Sequence, residues 1–91
     1  MSSTYIDPTA DVSPDAVVGA GCLIWNWTKV RERACIGEGV SIGQNCYIDH
    51  EVVIGDRCKI QNGVSVYHGV TIGHKVFIGP SVTFTNDLYP H

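Results

Sequence analysis

KIQNGVSVYHGVTIGHKVFIGPSVTFTN, residues 59–86, carries a six-residue beat that decides the fold. A branched or aromatic apolar residue stands at Ile60, Val66, Ile72, Ile78 and Phe84, and four places after the first four come Val64, Val70, Val76 and Val82. Read backwards, the beat runs through Ile54, Ile48, Ile42, Ile36, Val30, Ile24, Val18 and Val12 to Ile6, thirteen whole steps from Ile6 to Phe84. The companion places hold Cys58, Val52, Cys46, Val40, Ala34, Thr28, Cys22, Ala16 and Ala10. Fourteen such residues in register are not a chance event, so the repeat is real.

A period of six matches neither a helix, which repeats every 3.6 residues, nor one continuous strand, which repeats every 2. It matches a strand that bends once per hexad. The beat residue and its companion then face inward, and the Gly, Asp, Asn and Glu between them make the bend. One hexad buries nothing alone, so hexads must coil and stack with strands pairing at the sheet spacing. The expected product is a parallel β-helix forming one domain over residues 1–91.

Composition narrows the function classes. With 44% hydrophobic and 16% charged residues the chain reads as globular, and a net charge of −3 gives no basic footprint for nucleic acid. No apolar run is long enough to span a membrane. The N-terminus MSSTYIDPTA has neither a basic start nor an apolar core, so a cytoplasmic location is the expectation. Of the four cysteines, Cys22, Cys46 and Cys58 occupy the small inward place and read as free thiols in the core, while Cys35 points outward. There is no CxxC pair, and no metal is expected. Near the start, Pro8 and Pro14 with Asp7, Asp11 and Asp15 suggest an edge coil. Trp25 and Trp27 are too bulky to enter a narrow prism together and are expected to cover another surface.

IGEGVSIGQN, KIQNGVSVYHGV, FIGP and FTNDLYP together resemble the hexapeptide-repeat acyltransferases of the left-handed β-helix superfamily. Among these the chain looks most like the enzymes that N-acetylate nucleotide-linked 3-amino sugars. The resemblance implies a left-handed parallel β-helix of about four to five coils, three hexads per coil, a homotrimer, acetyl-CoA as acyl donor and a nucleotide sugar as acceptor. Alternatives on the same fold are O-acylation and a structural trimer without activity of its own.

Eighteen residues per coil would stack the corners into three columns. Gly19, Gly37, Gly55 and Gly73 share one, which calls for either positive φ or close backbone approach. Asn26, Gln44 and Asn62 share a second, where an amide ladder either satisfies corner carbonyls or binds a polar ligand. The third holds Glu32, His50, His68 and Asn86, flanked by Arg31, Asp49, Tyr67 and Thr85. His68 is the candidate general base, although the family usually shows an acid there. The resemblance places Asn86 beside the sugar amine, with Asp87 near enough to help and Gln44, Asn62 and Tyr67 as further substrate contacts. His50, His68 and Glu32 together form a weaker metal constellation without a firm third ligand. Val17, Cys35 and Val53 make an outward column expected to lie in the trimer interface. Relatives usually carry more coils after FTN, so the chain is expected either to stack end to end or to be the front portion of a longer β-helix, and in both cases to bind acetyl-CoA weakly or not at all by itself.

Overall fold

The structure, a computed structural model, describes residues 3–84. Two-residue strands recur every six residues from Tyr5–Ile6 to Thr83–Phe84, fourteen in all among the described residues, with no helix between them. In each strand the second residue is the inward beat position. Three corner residues follow, then the inward companion.

The strands form three parallel sheets, five, five and four strands deep. The first stacks Tyr5–Ile6, Leu23–Ile24, Ser41–Ile42, Lys59–Ile60 and Phe77–Ile78. The second stacks Asp11–Val12, Lys29–Val30, Tyr47–Ile48, Ser65–Val66 and Thr83–Phe84. The third stacks Val17–Val18, Cys35–Ile36, Val53–Ile54 and Thr71–Ile72. Every pair is offset by eighteen residues, as in Ile24↔Ile42 and Val30↔Ile48, so a coil is three hexads and the solenoid runs for about four turns.

The register aligns like with like along the axis. Ile24, Ile42, Ile60 and Ile78 line one inner wall, Val30, Ile48 and Val66 the second, and Ile36, Ile54 and Ile72 the third, all buried. The companions Cys22, Thr28, Ala34, Val40, Cys46, Val52, Cys58 and Val64 fill the inner corners and are buried too. β-branched residues suit the flat walls because their restricted χ1 fits a pleated surface. The inward cysteines and Thr28 do more than pack. Cys22 Sγ donates to the Gly37 carbonyl at 3.0 Å, Cys46 Sγ to Gln61 at 3.1 Å, Cys58 Sγ to Gly73 at 2.9 Å and Thr28 Oγ1 to Gly43 at 2.6 Å. Each small polar side chain thus satisfies a corner carbonyl of the next coil that the strand ladder leaves over. All four cysteines are free, and Cys35 is exposed as its outward place predicts.

The glycine column resolves in favour of close approach. A Cβ on Gly19 would lie 2.6 Å from the Gly37 carbonyl carbon, and one on Gly55 would lie 2.7 Å from that of Gly73. Positive φ falls instead on the third corner residue, where Trp27, Arg33, Asn45, Glu51, Arg57, Lys75 and Ser81 all have φ between 55° and 62°. That conformation turns the third N–H along the axis to a carbonyl of the coil below, as in Arg57 to Glu38 at 2.7 Å and Asn45 to Asn26 at 3.0 Å. The corner therefore carries its own hydrogen-bond ladder, which offsets the cost of about 1–2 kcal/mol for left-handed backbone.

Candidate functional site

The corners that follow the second sheet bring the charged residues together. Strands Lys29–Val30, Tyr47–Ile48 and Ser65–Val66 feed corners 31–33, 49–51 and 67–69, and their stacking sets equivalent residues one above another. His50 and His68 are accordingly parallel, with ring centroids 5.0 Å apart and an interplanar angle of 8°. Tyr47 and Tyr67 meet beside them at 5.8 Å.

Asp49 is the centre of this corner. Its side chain is only 9% exposed, whereas that of His68 is 61% exposed. The carboxylate accepts the N–H of His50 at 2.8 Å, the N–H of His68 from the coil above at 3.1 Å, and the Tyr47 hydroxyl at 3.1 Å. Burial pushes its pKa up, but the two amides, Tyr47 and the nearby His50 outweigh this and hold the group below the usual aspartate value. His68 Nδ1 stands 3.6 Å from Asp49 Oδ2, and His50 Nε2 stands 3.9 Å from Asp49 Oδ1. The buried carboxylate thus orients two corners through their backbones and faces both imidazoles.

A belt of ion pairs surrounds it. Arg31 makes a fork to Glu32 at 2.9 and 3.1 Å and donates to the Tyr47 hydroxyl at 2.9 Å. The Arg31 hydrogen bonds hold the Glu32 carboxyl down to about 2, and the Arg31 guanidinium is itself pushed above its ordinary value. Glu51 accepts from His50 Nδ1 at 3.1 Å and pairs with Arg33 at 3.4 Å, and these contacts lower its pKa.

Gln44 and Asn62 lie on a different edge, the corners after the first sheet. With Trp25 and Asn26 they line an open depression of about 320 Å³. Here Asn62 Oδ1 accepts the Gln44 N–H at 3.0 Å, so at least half of that amide is committed to holding the corner. Trp25 and Trp27 are both exposed, and Tyr5 packs against Trp25 at 5.5 Å. Of the expected site residues, then, His68 and Tyr67 share one corner column with His50, while Gln44 and Asn62 do not join them. Asn86 and Asp87 lie outside the described residues. Sequence reasoning had Asp49 and Arg31 only as flanks and missed Tyr47. The available signal was the run Asp49-His50-Glu51, two acids bracketing a histidine at one bend.

Residues 34–66 and 51–86 match the family described as bacterial transferase hexapeptide (six repeats). No curated protein matches the chain at a significant level. Similar solved structures include a histidine-to-alanine variant of GDP-perosamine N-acetyl transferase from Caulobacter crescentus in complex with CoA and GDP-perosamine. It is 23% identical with a TM-score of 0.67, over 94% of this chain and 50% of that one. The acetyltransferase domain of PglB from Neisseria gonorrhoeae FA1090 is 21% identical with a TM-score of 0.65, over 97% of this chain and 57% of that one. Likeness at this identity speaks for the fold, and the chain spans about half the length of the structures it resembles.

Proposed function

The chain belongs to the bacterial transferase hexapeptide family, and on that premise we propose that it serves acetyl transfer from acetyl-CoA to the amine of a nucleotide-linked amino sugar. The observation that carries this reading is His68, an exposed imidazole whose ring and backbone both face the buried carboxylate of Asp49. An amine attacking a thioester must lose a proton as the C–N bond forms. His68 takes that proton, and Asp49 stabilises the resulting imidazolium. The tetrahedral intermediate collapses with cleavage of the C–S bond, and the departing thiolate takes the proton back. No covalent enzyme intermediate is involved. Asn86 is assigned to orient the amine or to hydrogen-bond the acyl oxygen, with Asp87 beside it. Tyr67 is assigned to the acceptor on the same edge, and Gln44 and Asn62 to its polar groups on the neighbouring edge.

The same reading includes a left-handed coil, a cytoplasmic location and a homotrimer with substrates held between neighbouring β-helices. Val17 and Val53, 59% and 42% exposed, support the trimer by forming an outward apolar column with Cys35. No helix among the described residues is long and apolar enough to cross a membrane. The sugar-nucleotide acceptor is supported by the GDP-perosamine in the similar Caulobacter structure.

The test is incubation of the chain with acetyl-CoA and a panel of nucleotide-linked amino sugars, reading thiol release and the acetylated product by mass spectrometry. Transfer to the sugar amine should fall about 100-fold or more in His68→Ala and persist in His74→Ala. Undiminished transfer in His68→Ala removes the base assignment. Tight acetyl-CoA binding with no transfer to any amino sugar, or transfer to a hydroxyl in place of the amine, rejects the reading as a whole.

A further inference from the structure

Asp49, His50 and His68 bring one carboxylate oxygen and two ring nitrogens within 4.8 Å of one another. The two nitrogen–oxygen separations, 3.6 Å from His68 Nδ1 and 3.9 Å from His50 Nε2, are too long for the hydrogen bonds of about 2.7–3.2 Å that such groups make. A metal ion held at about 2.0–2.2 Å by each of three ligands in a tetrahedron would set the ligands about 3.4 Å apart. Each gap is within about half an ångström of that separation, although the two are made to different oxygens of the Asp49 carboxylate, and the three ligand atoms lie no more than 4.8 Å apart, so side-chain rotation has to close them on one ion. We propose that this corner binds a divalent transition-metal ion through Asp49, His50 Nε2 and His68 Nδ1.

Three features of the corner favour this. First, His50 Nδ1 lies 3.1 Å from Glu51 Oε1. An ionised carboxylate only accepts, so Nδ1 carries the proton and the lone pair is left on Nε2, which faces Asp49. A neutral lone pair opposite a carboxylate is unfavourable unless a cation or proton stands between them. Second, Asp49 is oriented by the Tyr47 hydroxyl and two backbone amides, the kind of surrounding contact that fixes a metal ligand. Third, Arg31 and Arg33 against Glu32, Asp49 and Glu51 leave the corner with a formal charge of 2 − 3 = −1 when both histidines are neutral. Arg31 is the opposing charge, 3.7 Å from Asp49 Oδ1, but its guanidinium is already forked onto Glu32.

Two nitrogens and one oxygen suit Zn²⁺, Co²⁺, Ni²⁺ or Cu²⁺ better than Mg²⁺ or Ca²⁺. The parallel rings must tilt to aim both in-plane lone pairs at one ion, and the exposed His68 is the one with room to turn. Loading should therefore unstack the pair. The fourth coordination position faces solvent beside His68. The inference shares Asp49 and His68 with the acyl-transfer reading, but its test is read by metal binding alone and so stands or falls separately from it.

The experiment is titration of the chelator-treated chain with Zn²⁺ by calorimetry and with Co²⁺ by visible absorption. The expected result is one equivalent per chain and a tetrahedral Co²⁺ spectrum without thiolate charge transfer. Affinity should fall about tenfold or more in His50→Gln and again in His68→Gln, both checked for native circular dichroism. His74→Gln and Cys35→Ser should bind as the parent does. No binding at millimolar ion, binding that survives both His50→Gln and His68→Gln, or binding lost in His74→Gln or Cys35→Ser would each overturn the assignment.

Discussion

Replacing Thr28 with valine isolates what the inward polar residues contribute. Thr28 is 1% exposed; its hydroxyl donates to the Gly43 carbonyl at 2.6 Å and accepts the Cys46 N–H at 3.2 Å. Valine has nearly the same shape but leaves both backbone groups without these partners in a site closed to water. Each stranded group costs about 1–3 kcal/mol, against which the extra buried methyl contributes about 0.8 kcal/mol. The net loss is about 3 kcal/mol, or about 12–24 °C in Tm at about 4–8 °C per kcal/mol for a domain of this size. Thr28→Ser keeps the hydroxyl and loses one methyl, so it should cost only about 1 kcal/mol. Thermal unfolding followed by circular dichroism should rank parent, then serine, then valine. A valine variant as stable as the serine variant would show that the corner carbonyls are satisfied some other way, and the donor role given to Cys22, Cys46 and Cys58 would fall with it.

Gly55→Ala should destabilise by about 3 kcal/mol, because the new methyl meets backbone of the next coil that cannot rotate aside. Gly39→Ala should cost only about 1–2 kcal/mol, its φ of 66° being one that non-glycine residues adopt at equivalent corners; urea midpoints in the reverse order would contradict the close-approach reading. In the native chain a thiol reagent should modify Cys35 rapidly, with Cys22, Cys46 and Cys58 reacting only on unfolding; mass spectrometry showing equal early labelling of all four would refute the inward placement. Because the folded pKa of Asp49 lies below the ordinary value of 3.8, its contribution to stability is present in full above that pH and is lost as pH falls through the folded value. The acid limb of the stability curve below about pH 4 should therefore be shallower in Asp49→Asn than in the parent, and parallel limbs would count against a lowered pKa.

The fold was legible because one signal governs it. A six-residue beat places every inward side chain without any knowledge of the coil, since two inward positions per hexad suffice to define the wall and the inner corner. The columns required more, namely the eighteen-residue offset that the family resemblance implied and the strand pairing then showed. The corner backbone was harder to read. Glycine was the natural sign of positive φ, yet Glu51, Arg57 and Lys75 adopt it while Gly19 and Gly55 do not. The left-handed turn is held by a hydrogen bond to the coil below, and no propensity reports a bond between residues nineteen apart, such as Arg57 N–H to Glu38. The inward cysteines were legible as small and buried. Their role as donors was not, because it depends on where a carbonyl of the next coil points.

At the site the same division holds. The stacking of His50 on His68 followed from the eighteen-residue offset alone, since both occupy the second place of equivalent corners. Asp49 did not, because its place in the corner is filled by Arg31 below and Tyr67 above, and neither of those is buried. What draws the acid inward is a pair of backbone amides on two coils and one tyrosine hydroxyl, three donors that converge only after the coils have stacked. Burying a carboxylate without such donors costs several kcal/mol, so the convergence is what makes an acid tolerable there. It also gives the exposed His68 and the half-buried His50 an anionic neighbour that is shielded from solvent, where a charge acts on them more strongly than one on an exposed corner does. A proton taken up by His68 and a metal ion shared between His50 and His68 both draw on that one buried charge. The two proposals are therefore coupled: a metal ion bound to Asp49 and His68 occupies the lone pair that acyl transfer needs, and loading the corner with Zn²⁺ should suppress transfer in the parent chain.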